Sequence, residues 1–397
     1  MVKMDRRGMA LLALAHTADD INQGFLPAVL PLLILTYHFS LQAAGALVLA
    51  QAISSSVIQP AIGHLADKRP MPWLIWSGLL LAGLGIALIG FTTDYALMFG
   101  AALLSGLGVA MFHPEAARYA NYVSGSRKAS GMRWFSLGGT TGFAIGPAYA
   151  TLALGLFGQH GTWLATLPVL LLATLIFIDL PRLRSFQPPA RTRHQIEAAR
   201  DRWGAFALLA LYTCLRSTVY VGVIAFIPIF FIREIATSLP VGNLGLTLYL
   251  GFGALGALAG GTFADRFGRK AVMVCSAGGT ALLLSAFAFA SHSVIVGYAI
   301  IALAGFVLVA SNPALVVVGQ EYLPNHMGTA SGVTLGIAVS VGGMMSPVLG
   351  RIGDLAGVPA SFYAAAALAA LAAAIGLFLP SERRRQADRP VAEVRSA

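Results

Sequence analysis

The sequence predicts an all-α membrane protein in which twelve transmembrane helices form two pseudo-symmetric six-helix bundles. Its composition is 57% hydrophobic and only 11% charged, whereas soluble domains carry about a quarter charged residues. Apolar runs recur from end to end, each about long enough to cross the roughly 30 Å hydrocarbon core of a bilayer. Markers of the first half of the chain return in the same order in the second half, which indicates an internal duplication.

The apolar runs define the predicted spans. The first run follows a basic N-terminus, as in a signal peptide, but the apolar sequence resumes beyond an internal polar stretch. A second copy of this segment lies far from the N-terminus, so we interpret the first run as a span. The predicted spans are residues 8–36, 42–65, 72–90, 95–117, 128–156 and 161–180, followed by 204–232, 243–264, 271–290, 293–318, 328–350 and 358–379.

The duplication is visible at matched positions. Leu11–Leu14 recurs as Leu208–Leu211, and GHLADKR at Gly63–Arg69 recurs as GTFADRF at Gly261–Phe267. Parallel repeats of this kind place a binding site near the membrane midplane, between the halves. The predicted domains are an N-terminal half at 1–180, a linker at 181–203, a C-terminal half at 204–380 and a tail at 381–397.

The net charge of +10 is distributed unevenly along the chain. Most Lys and Arg residues fall in the termini, in the linker and in loops on one side of the predicted topology, whereas the opposite loops hold Arg233 and Arg351. By the positive-inside rule, both termini, the linker and the tail lie in the cytoplasm. The basic balance therefore indicates orientation in a bacterial cytoplasmic (inner) membrane, and it predicts no nucleic-acid partner.

The stretch HTADDINQGF places polar residues in the middle of the first span. His16, Asp20 and Gln23 share one helix face, and Asp19 lies on its flank. A carboxylate near the bilayer midplane is costly unless it is protonated, paired or hydrated. The pattern therefore predicts the wall of a water-filled cavity. The alternative is a set of hydrogen bonds that only packs the bundle.

The duplication aligns Asp19 with Arg216 in the seventh span. A guanidinium forms paired, charge-assisted hydrogen bonds with phosphonate, phosphate or carboxylate groups, so Arg216 is a candidate anion-binding residue. The alternative is an ion pair with Asp19 or Asp20 that locks the halves together. Tyr212 and Tyr220 lie one turn to either side of Arg216, where they orient a substrate or pack.

The fourth span ends in a second polar cluster that contains His113, Glu115 and Arg118. Glu115 either exchanges protons or pairs with Arg118 or Arg133 in a gate on the cytoplasmic side. Acidic residues also follow the second and eighth spans, where each can cap a neighbouring helix N-terminus. The predicted gating residues are Asp67, Arg118, Arg133, Asp265 and Arg266.

Three segments resemble signatures of a known family. GHLADKR and its copy GTFADRFGRK resemble the loop signature of the major facilitator superfamily, and GFAIGP resembles the core of its antiporter motif. The resemblance spans the chain and implies the fold of that superfamily. The fourth span often carries an Arg where this sequence has Ala102, so any role of that Arg is absent or belongs to another residue. The residues that allow close helix approach at the interface between the halves are Gly142, Gly146 and Pro147.

A narrower resemblance lies in HTADDINQGFLPAVLP, in MFHPEAARYA and in SGMRWFSLGGTTGFAIGP, which together are similar to exporters of the phosphonate antibiotic fosmidomycin. The resemblance implies a proton-coupled antiporter for small anionic or polar compounds that works by alternating access. The alternative is a proton-coupled uptake symporter for a small organic anion. The candidate proton-coupling residues are Asp19, Asp20 and Glu115, and the candidate substrate-binding residues are His16, Asp20, Gln23, His113, Arg216, Tyr212 and Tyr220.

Other classes of protein are less consistent with the sequence. No G-x-x-x-x-G-K-[ST] loop is present, so an ion gradient is favoured over ATP as the energy source. An enzyme would need an activated nucleophile or a metal constellation, and His16 with Asp19 and Asp20 lacks a third imidazole at a suitable spacing. We therefore predict a monomeric, cofactor-free transporter in the lipid bilayer, without catalytic or metal-binding residues.

Overall fold

The computed structural model describes residues 4–68, 71–186, 201–289, 293–326, 330, 333–334 and 338–380. These residues form helices joined by short connections, and no strand occurs among them. An α-helix satisfies its backbone groups along its own length, which a chain in lipid requires. The helices of the N-terminal half are α1 (Arg6–Tyr37), α2 (Leu41–Lys68), α3 (Trp73–Ile89), α4 (Tyr95–Val123), α5 (Lys128–Phe157) and α6 (Thr166–Arg184).

The C-terminal half repeats this order with one difference. The predicted tenth span is divided at Ala310 and Ser311, because Pro313 lacks the N–H group that would continue the helix. At the matching position in the N-terminal half, Pro114 lies inside an unbroken α4. The helices are α7 (Trp203–Glu234), α8 (Leu239–Phe267), α9 (Arg269–Phe289), α10 (Val294–Val309), α11 (Asn312–Tyr322), α12 (Ala338–Ala356) and α13 (Val358–Phe378).

The helices have the length and composition of membrane spans. Within the described residues, 8 helical segments are long and apolar enough to cross a bilayer, and some of these segments join two consecutive helices. Helix α3 is apolar but shorter, and α1 carries the polar stretch in its middle. The predicted all-α membrane architecture is therefore confirmed. Most helix boundaries differ from the predicted spans by only a few residues.

The apolar core is divided between the halves. One cluster of buried residues, which includes Met9, belongs to the N-terminal half, and a second, which includes Phe206, belongs to the C-terminal half. A third cluster joins both halves, since Phe25 of α1 and Phe226 of α7 are among its members. This shared core lies towards the end of the molecule where α1 leads into α2 and α7 leads into α8. We name this end the closed end.

At the closed end, α12 of one half caps α2 of the other. Asp354 Oδ1 accepts a hydrogen bond from the backbone N–H of Leu41 at 2.8 Å, and its Oδ2 accepts one from Gln42 at 3.0 Å. A carboxylate in this position satisfies free N–H groups and complements the helix dipole. Gly350 permits the approach, because a Cβ there would lie 2.4 Å from the Leu41 carbonyl oxygen. A charge-assisted contact therefore joins the two halves.

Helices α5 and α8 form a second contact between the halves at the closed end. Asn243 Nδ2 of α8 donates to the Ala28 carbonyl at 3.2 Å and to Thr151 Oγ1 of α5 at 3.0 Å. Nearer the middle of the molecule, a Cβ on Gly343 of α12 would lie 2.6 Å from the Ala52 Cβ of α2. Small residues thus allow the helices of opposite halves to touch.

The glycines of GFAIGP pack α5 against α1 rather than against the other half. A Cβ on Gly142 would lie 2.1 Å from the Thr17 carbonyl oxygen, and a Cβ on Gly146 would lie 2.8 Å from the Gly24 Cα. Pro147 also contacts Gly24, whose own Cβ would lie 3.1 Å from the proline ring. Close helix packing is what these residues permit, but the predicted location between the halves is wrong, because α1 and α5 belong to the same half.

Several predicted features lie outside the described residues. These are residues 187–200 of the predicted linker, the tail at 381–397 and the first part of the predicted span at 328–350, apart from residues 330 and 333–334. The side chain of Asp67 is also outside the described part of the structure. The domain limits at 1–180, 181–203 and 204–380 stay a prediction.

Candidate functional site

The polar residues of α1 fall into two groups. Thr17 Oγ1 donates to the carbonyls of Ala13 at 3.1 Å and Gly138 at 2.9 Å, and Asn22 Nδ2 donates to the Ala18 carbonyl at 3.0 Å. These two side chains bond to nearby backbone, which is the packing role considered in the sequence analysis. The group that remains for the site is His16, Asp19, Asp20 and Gln23.

An acid–imidazole cluster joins α1 to α4. His16 Nε2 lies 3.1 Å from His113 Nε2 and 3.3 Å from Asp20 Oδ2. His113 Nε2 lies 3.4 Å from Asp20 Oδ1, and Gln23 donates a hydrogen bond to the same oxygen. The structure therefore brings together four residues that the sequence analysis assigned to the site. We call His16, Asp20 and His113 the histidine–aspartate cluster.

Backbone carbonyls fix the orientation of both imidazole rings. His16 Nδ1 lies 2.9 Å from the Phe135 carbonyl oxygen, and His113 Nδ1 lies 3.0 Å from the Val109 carbonyl oxygen. The Phe135 ring also stacks on His16, with centroids 4.2 Å apart. Gly139 leaves room for the cluster, because a Cβ there would lie 2.5 Å from the His16 ring. Both rings are thus held with Nε2 towards Asp20.

Sequence reasoning did not find Phe135 or Gly139. Both residues act through their position on α5, one by its carbonyl group and ring and the other by the absence of a side chain. Such roles leave no signature of residue type or spacing. The motif SGMRWFSLGGTTGFAIGP nevertheless contains both of them, so the resemblance had marked the segment without explaining it.

Asp19 is wholly buried beside the histidine–aspartate cluster. His113 Nδ1 lies 3.6 Å from Asp19 Oδ2. Neither carboxylate oxygen has a hydrogen-bond partner among the described residues. A bare buried carboxylate is costly, so Asp19 requires a proton, a cation or a hydrogen-bond donor at this position.

The histidine–aspartate cluster contains the ligand types of a transition-metal site. Each of its three residues offers one ligand atom, and these atoms lie within 4.8 Å of one another. The sequence lacks a third imidazole at a suitable spacing, but tertiary packing brings a second imidazole from α4 beside His16. The absence of a metal site stays a prediction, and a proton fits the same three groups.

Arg216 of α7 is the corresponding polar residue of the C-terminal half. Its Nη1 donates to the Leu308 carbonyl over a long 3.4 Å, and its buried Nε has no partner in the described part of the chain. The alternative role considered for Arg216, an ion pair with Asp19 or Asp20, is not found among the described residues. The reason is that both carboxylates face His113 on α4.

The two tyrosines that flank Arg216 on α7 differ in role. Tyr212 is fully buried and donates to the Met273 carbonyl at 2.8 Å, so it packs α7 against α9 and we leave it out of the binding set. Tyr220 lies between Phe143 of α5 and Tyr249 of α8, with ring centroids 6.4 and 6.0 Å away. Tyr220 therefore bridges the two halves beside Arg216.

Tyr249 is a site residue that sequence reasoning missed. It is buried close to Arg216, and its hydroxyl has no partner among the described residues. The repeat could have indicated it: the register that aligns Gly63 with Gly261 also aligns Gln51 with Tyr249. Gln51 is likewise polar and buried, and it donates to Ser105 Oγ at 3.1 Å.

Glu115 takes part in a structural contact rather than in the histidine–aspartate cluster. Its Oε1 accepts from the backbone N–H of Met71 at 2.7 Å, and its Oε2 lies 3.3 Å from Arg118 Nη1. Two roles were predicted for Glu115: proton exchange, or an ion pair in the cytoplasmic gate. This arrangement favours the ion pair in the gate. Two other proposed gate residues, Arg133 and Asp265, are exposed. Arg266 is also exposed and lies over the Phe267 ring at 5.3 Å.

Two helical bundles that enclose unequal polar groups define a membrane transporter of small solutes. The chain belongs to the major facilitator superfamily: the family model described as Major Facilitator Superfamily matches residues 12–347 and 209–396. The resemblance noted in the sequence is confirmed. Since the family consists of transporters, the prediction that the protein is not an enzyme is confirmed by the same match. Members bind small-molecule substrates and lie in the lipid bilayer.

Comparisons with individual proteins agree with the family. The chain is 28% identical over 384 residues to the uncharacterised MFS-type transporter YfnC of Bacillus subtilis (strain 168). It is 27% identical over 384 residues to the fosmidomycin resistance protein of Escherichia coli (strain K12). Each alignment covers 95% of this chain and 93% of the relative.

Solved structures show the same fold. An inward-facing, unoccupied bacterial homologue of the human lysosomal transporter Spinster superposes with a TM-score of 0.80 at 16% identity, covering 97% of this chain and 98% of the other. The nucleoside transporter NupG superposes with a TM-score of 0.73 at 15% identity, covering 94% and 98%. The predicted fold of two six-helix bundles is therefore confirmed.

Proposed function

We propose that this protein is a proton-coupled antiporter that exports small anionic or polar compounds such as the phosphonate fosmidomycin. The observation that carries the proposal is the contrast between two central sites. The N-terminal half presents the acceptors of the histidine–aspartate cluster, and the C-terminal half presents the donors of Arg216. The similarity to a fosmidomycin resistance protein supports the direction and the substrate class.

Arg216 supplies recognition of an anionic group. A buried N–H group without an acceptor is costly, so its Nε and its weakly bonded Nη1 favour a ligand oxygen. A guanidinium binds phosphonate or carboxylate oxygens in pairs. Tyr249, whose buried hydroxyl has no partner among the described residues, packs against Tyr220 of the same helix as Arg216 and is a further candidate donor.

Asp19, Asp20 and their histidine partners supply the proton site. The convergent acceptor atoms of the histidine–aspartate cluster accept either a proton or a hydroxyl or N–H group of the substrate. Tyr220 lies between Phe143 of one half and Tyr249 of the other, which supports one shared cavity. A substrate with an anionic group at one end and a hydrogen-bond donor at the other therefore competes with the proton. Competition of this kind produces exchange.

Alternating access follows from the unequal contact between the halves. The halves share apolar core and hydrogen bonds at the closed end, whereas the remaining core separates into one cluster for each half. We interpret this arrangement as one that exposes the central site to the opposite end. Breaking the Asp354 contact would let the halves separate at the closed end, while Glu115 and Arg118 belong to the gate at the other.

The proposed orientation places both termini and the linker in the cytoplasm of a bacterial inner membrane. The distribution of Lys and Arg supports it, and the protein functions as a monomer in this proposal. The closed end then faces outwards. Single cysteines at Asp94 and Ser238 should react with an impermeant maleimide in intact cells, and a cysteine at Gln195 should not. Labelling of the cysteine at Gln195 would indicate the opposite orientation, with the linker outside the cell.

Transport into proteoliposomes under an imposed pH gradient tests the function and its direction. Fosmidomycin should accumulate in liposomes with an acidic lumen, because protons leaving the lumen drive it inwards by exchange. Accumulation only when the outside is acidic would indicate the alternative, a proton-coupled symporter. A lack of response to either gradient, with fosmidomycin counterflow intact, would refute proton coupling.

A further inference from the structure

The histidines of the cluster are fixed in a way that determines where their hydrogens lie. His16 Nδ1 and His113 Nδ1 each face a backbone carbonyl oxygen, at 2.9 and 3.0 Å. A carbonyl oxygen only accepts, so each Nδ1 carries a hydrogen and, in a neutral ring, each Nε2 is a bare acceptor. The two Nε2 atoms lie 3.1 Å apart, which is a hydrogen-bond distance. Two neutral rings would therefore place lone pairs face to face.

Asp20 adds two acceptors at the same point. One carboxylate oxygen lies 3.3 Å from His16 Nε2, and the other lies 3.4 Å from His113 Nε2. Gln23 donates to this carboxylate and not to either ring. No donor to either Nε2 occurs among the described residues. Four acceptor atoms thus converge, and a single proton between the rings supplies the missing donor and the missing positive charge.

The surroundings offer few other titratable groups. From α1, Asp19 Oδ2 lies 3.6 Å from His113 Nδ1, and α7 contributes Tyr220, whose ring centroid lies 6.4 Å from that of Phe143 on α5. Helix α5 contributes the carbonyl of Phe135 and the backbone of Gly139, neither of which titrates. Among the described residues, these groups add no cation at the cluster. If Asp20 is ionised, the positive charge that balances it therefore comes from the imidazoles.

We infer that the exchanged proton is held between Nε2 of His16 and Nε2 of His113, with Asp20 as its counter-ion. This inference rests on the proposed proton-coupled function and moves the proton from the carboxylates to a pair of histidines. With the proton in place, one Nε2–H donates to the other Nε2 across the α1–α4 boundary. When the proton leaves, the acceptors repel, and a hydroxyl or N–H group of the substrate takes its place.

Nitrogen-15 NMR of protein with labelled histidine tests this inference, after dialysis against EDTA. We expect an imidazolium signal in the wild type that disappears in both His16→Gln and His113→Gln, because each ring needs the other to hold the proton. His160→Gln is the matched control: its Nδ1 also faces a carbonyl oxygen, that of Gly90 at 2.9 Å, but at the closed end. The control should keep the signal.

Three results would overturn the inference. One is a wild-type spectrum in which both rings are neutral. Another is an imidazolium signal that persists in one of the two variants, which would assign the proton to a single ring. The third is zinc retained at about one ion per chain after dialysis, with both Nε2 atoms unprotonated.

The proposed function can fail separately from this inference. An imidazolium signal with the expected behaviour, in a protein that shows no gradient-driven transport, would refute proton coupling and leave the shared proton in place. Fosmidomycin binding and size-exclusion chromatography show whether each variant is folded. His113→Asn replaces His113→Gln if the latter is not monodisperse.

Discussion

The two halves share a helix plan but differ in how their central polar groups are satisfied. In the N-terminal half, the polar atoms of His16, Asp20 and His113 lie 3.1 to 3.4 Å from one another. In the C-terminal half, Arg216 makes one long contact, and its Nε has no partner among the described residues. The duplication has preserved the positions of the helices and changed the chemistry. In our proposal, a proton completes the first site and a ligand completes the second.

Replacing Arg216 has the largest expected effect on this contrast. Arg216→Lys keeps the charge but loses the planar fork, and one charge-assisted hydrogen bond is worth roughly 1.5–3 kcal/mol, so fosmidomycin binding should weaken about ten- to a hundredfold. Arg216→Ala should remove detectable binding. Calorimetry on monodisperse protein measures both, with the exposed Arg233→Lys as the control. Wild-type affinity in Arg216→Lys would show that Arg216 only supports the fold.

Neutralising the carboxylates tests the other half. Asp20→Asn should abolish gradient-driven transport but keep fosmidomycin counterflow, because Asn retains the shape and cannot balance a proton. Asp19→Asn should be equal or milder, since Asp19 lies beside the cluster rather than between its rings. Flux measured in proteoliposomes with and without a pH gradient separates coupling from binding. Undiminished coupling in the double variant would place the coupling site elsewhere.

A substitution that crowds the histidine–aspartate cluster should have a smaller effect on coupled transport. A Cβ on Gly139 would lie 2.5 Å from the His16 ring, so Gly139→Ala should reduce coupled transport about tenfold, in line with the roughly 1–3 kcal/mol cost of overpacking. Gly155→Ala on the same helix is the matched control, because nothing lies within 4 Å of its Cβ. Equal behaviour of the two variants would mean that the cluster does not need its observed geometry.

The contact at the closed end should give the smallest effect. Asp354→Asn removes a charge at the α2 N-terminus, worth about 0.3–1 kcal/mol, which should shift the balance towards separation of the halves about two- to fivefold. Asp94→Asn is the control, because Asp94 caps its own helix, with Leu97 N donating at 3.0 Å.

Spin labels at Thr93 and Ser238, with Cys214 and Cys275 replaced, measure this balance as a distance distribution across the closed end. A longer distance should gain population in Asp354→Asn and not in Asp94→Asn. Unchanged distributions in both variants would show that Asp354 does not hold the halves together.

Much of the fold could be predicted from the sequence. Hydropathy and the duplication gave the helices and their order, because the bilayer imposes length and composition on every span. The duplication did not reveal that Pro313 interrupts a helix whereas Pro114 does not. The partner of GFAIGP could not be predicted either, since glycine spacing shows that a helix approaches something closely but not which helix.

The sequence predicted which residues belong to the site better than it predicted the contacts among them. Spacing on α1 grouped His16 with Asp20, whereas the link to His113 depends on tertiary packing between residues 97 apart. Electrostatic reasoning paired Arg216 with the carboxylates, but packing turned those carboxylates towards α4. Phe135 acts through its backbone carbonyl group, and Gly139 acts through the absence of a side chain. Neither role has a recognisable sequence pattern.

We propose that a proton in the N-terminal half and a ligand at Arg216 exclude each other. Calorimetry of fosmidomycin binding to the wild type, in buffers of different ionisation enthalpy, counts the protons exchanged with solvent. We expect about one proton released per ligand bound, because the substrate takes the place of the proton in the histidine–aspartate cluster. Binding with no proton released, or with a proton taken up, would contradict the claim.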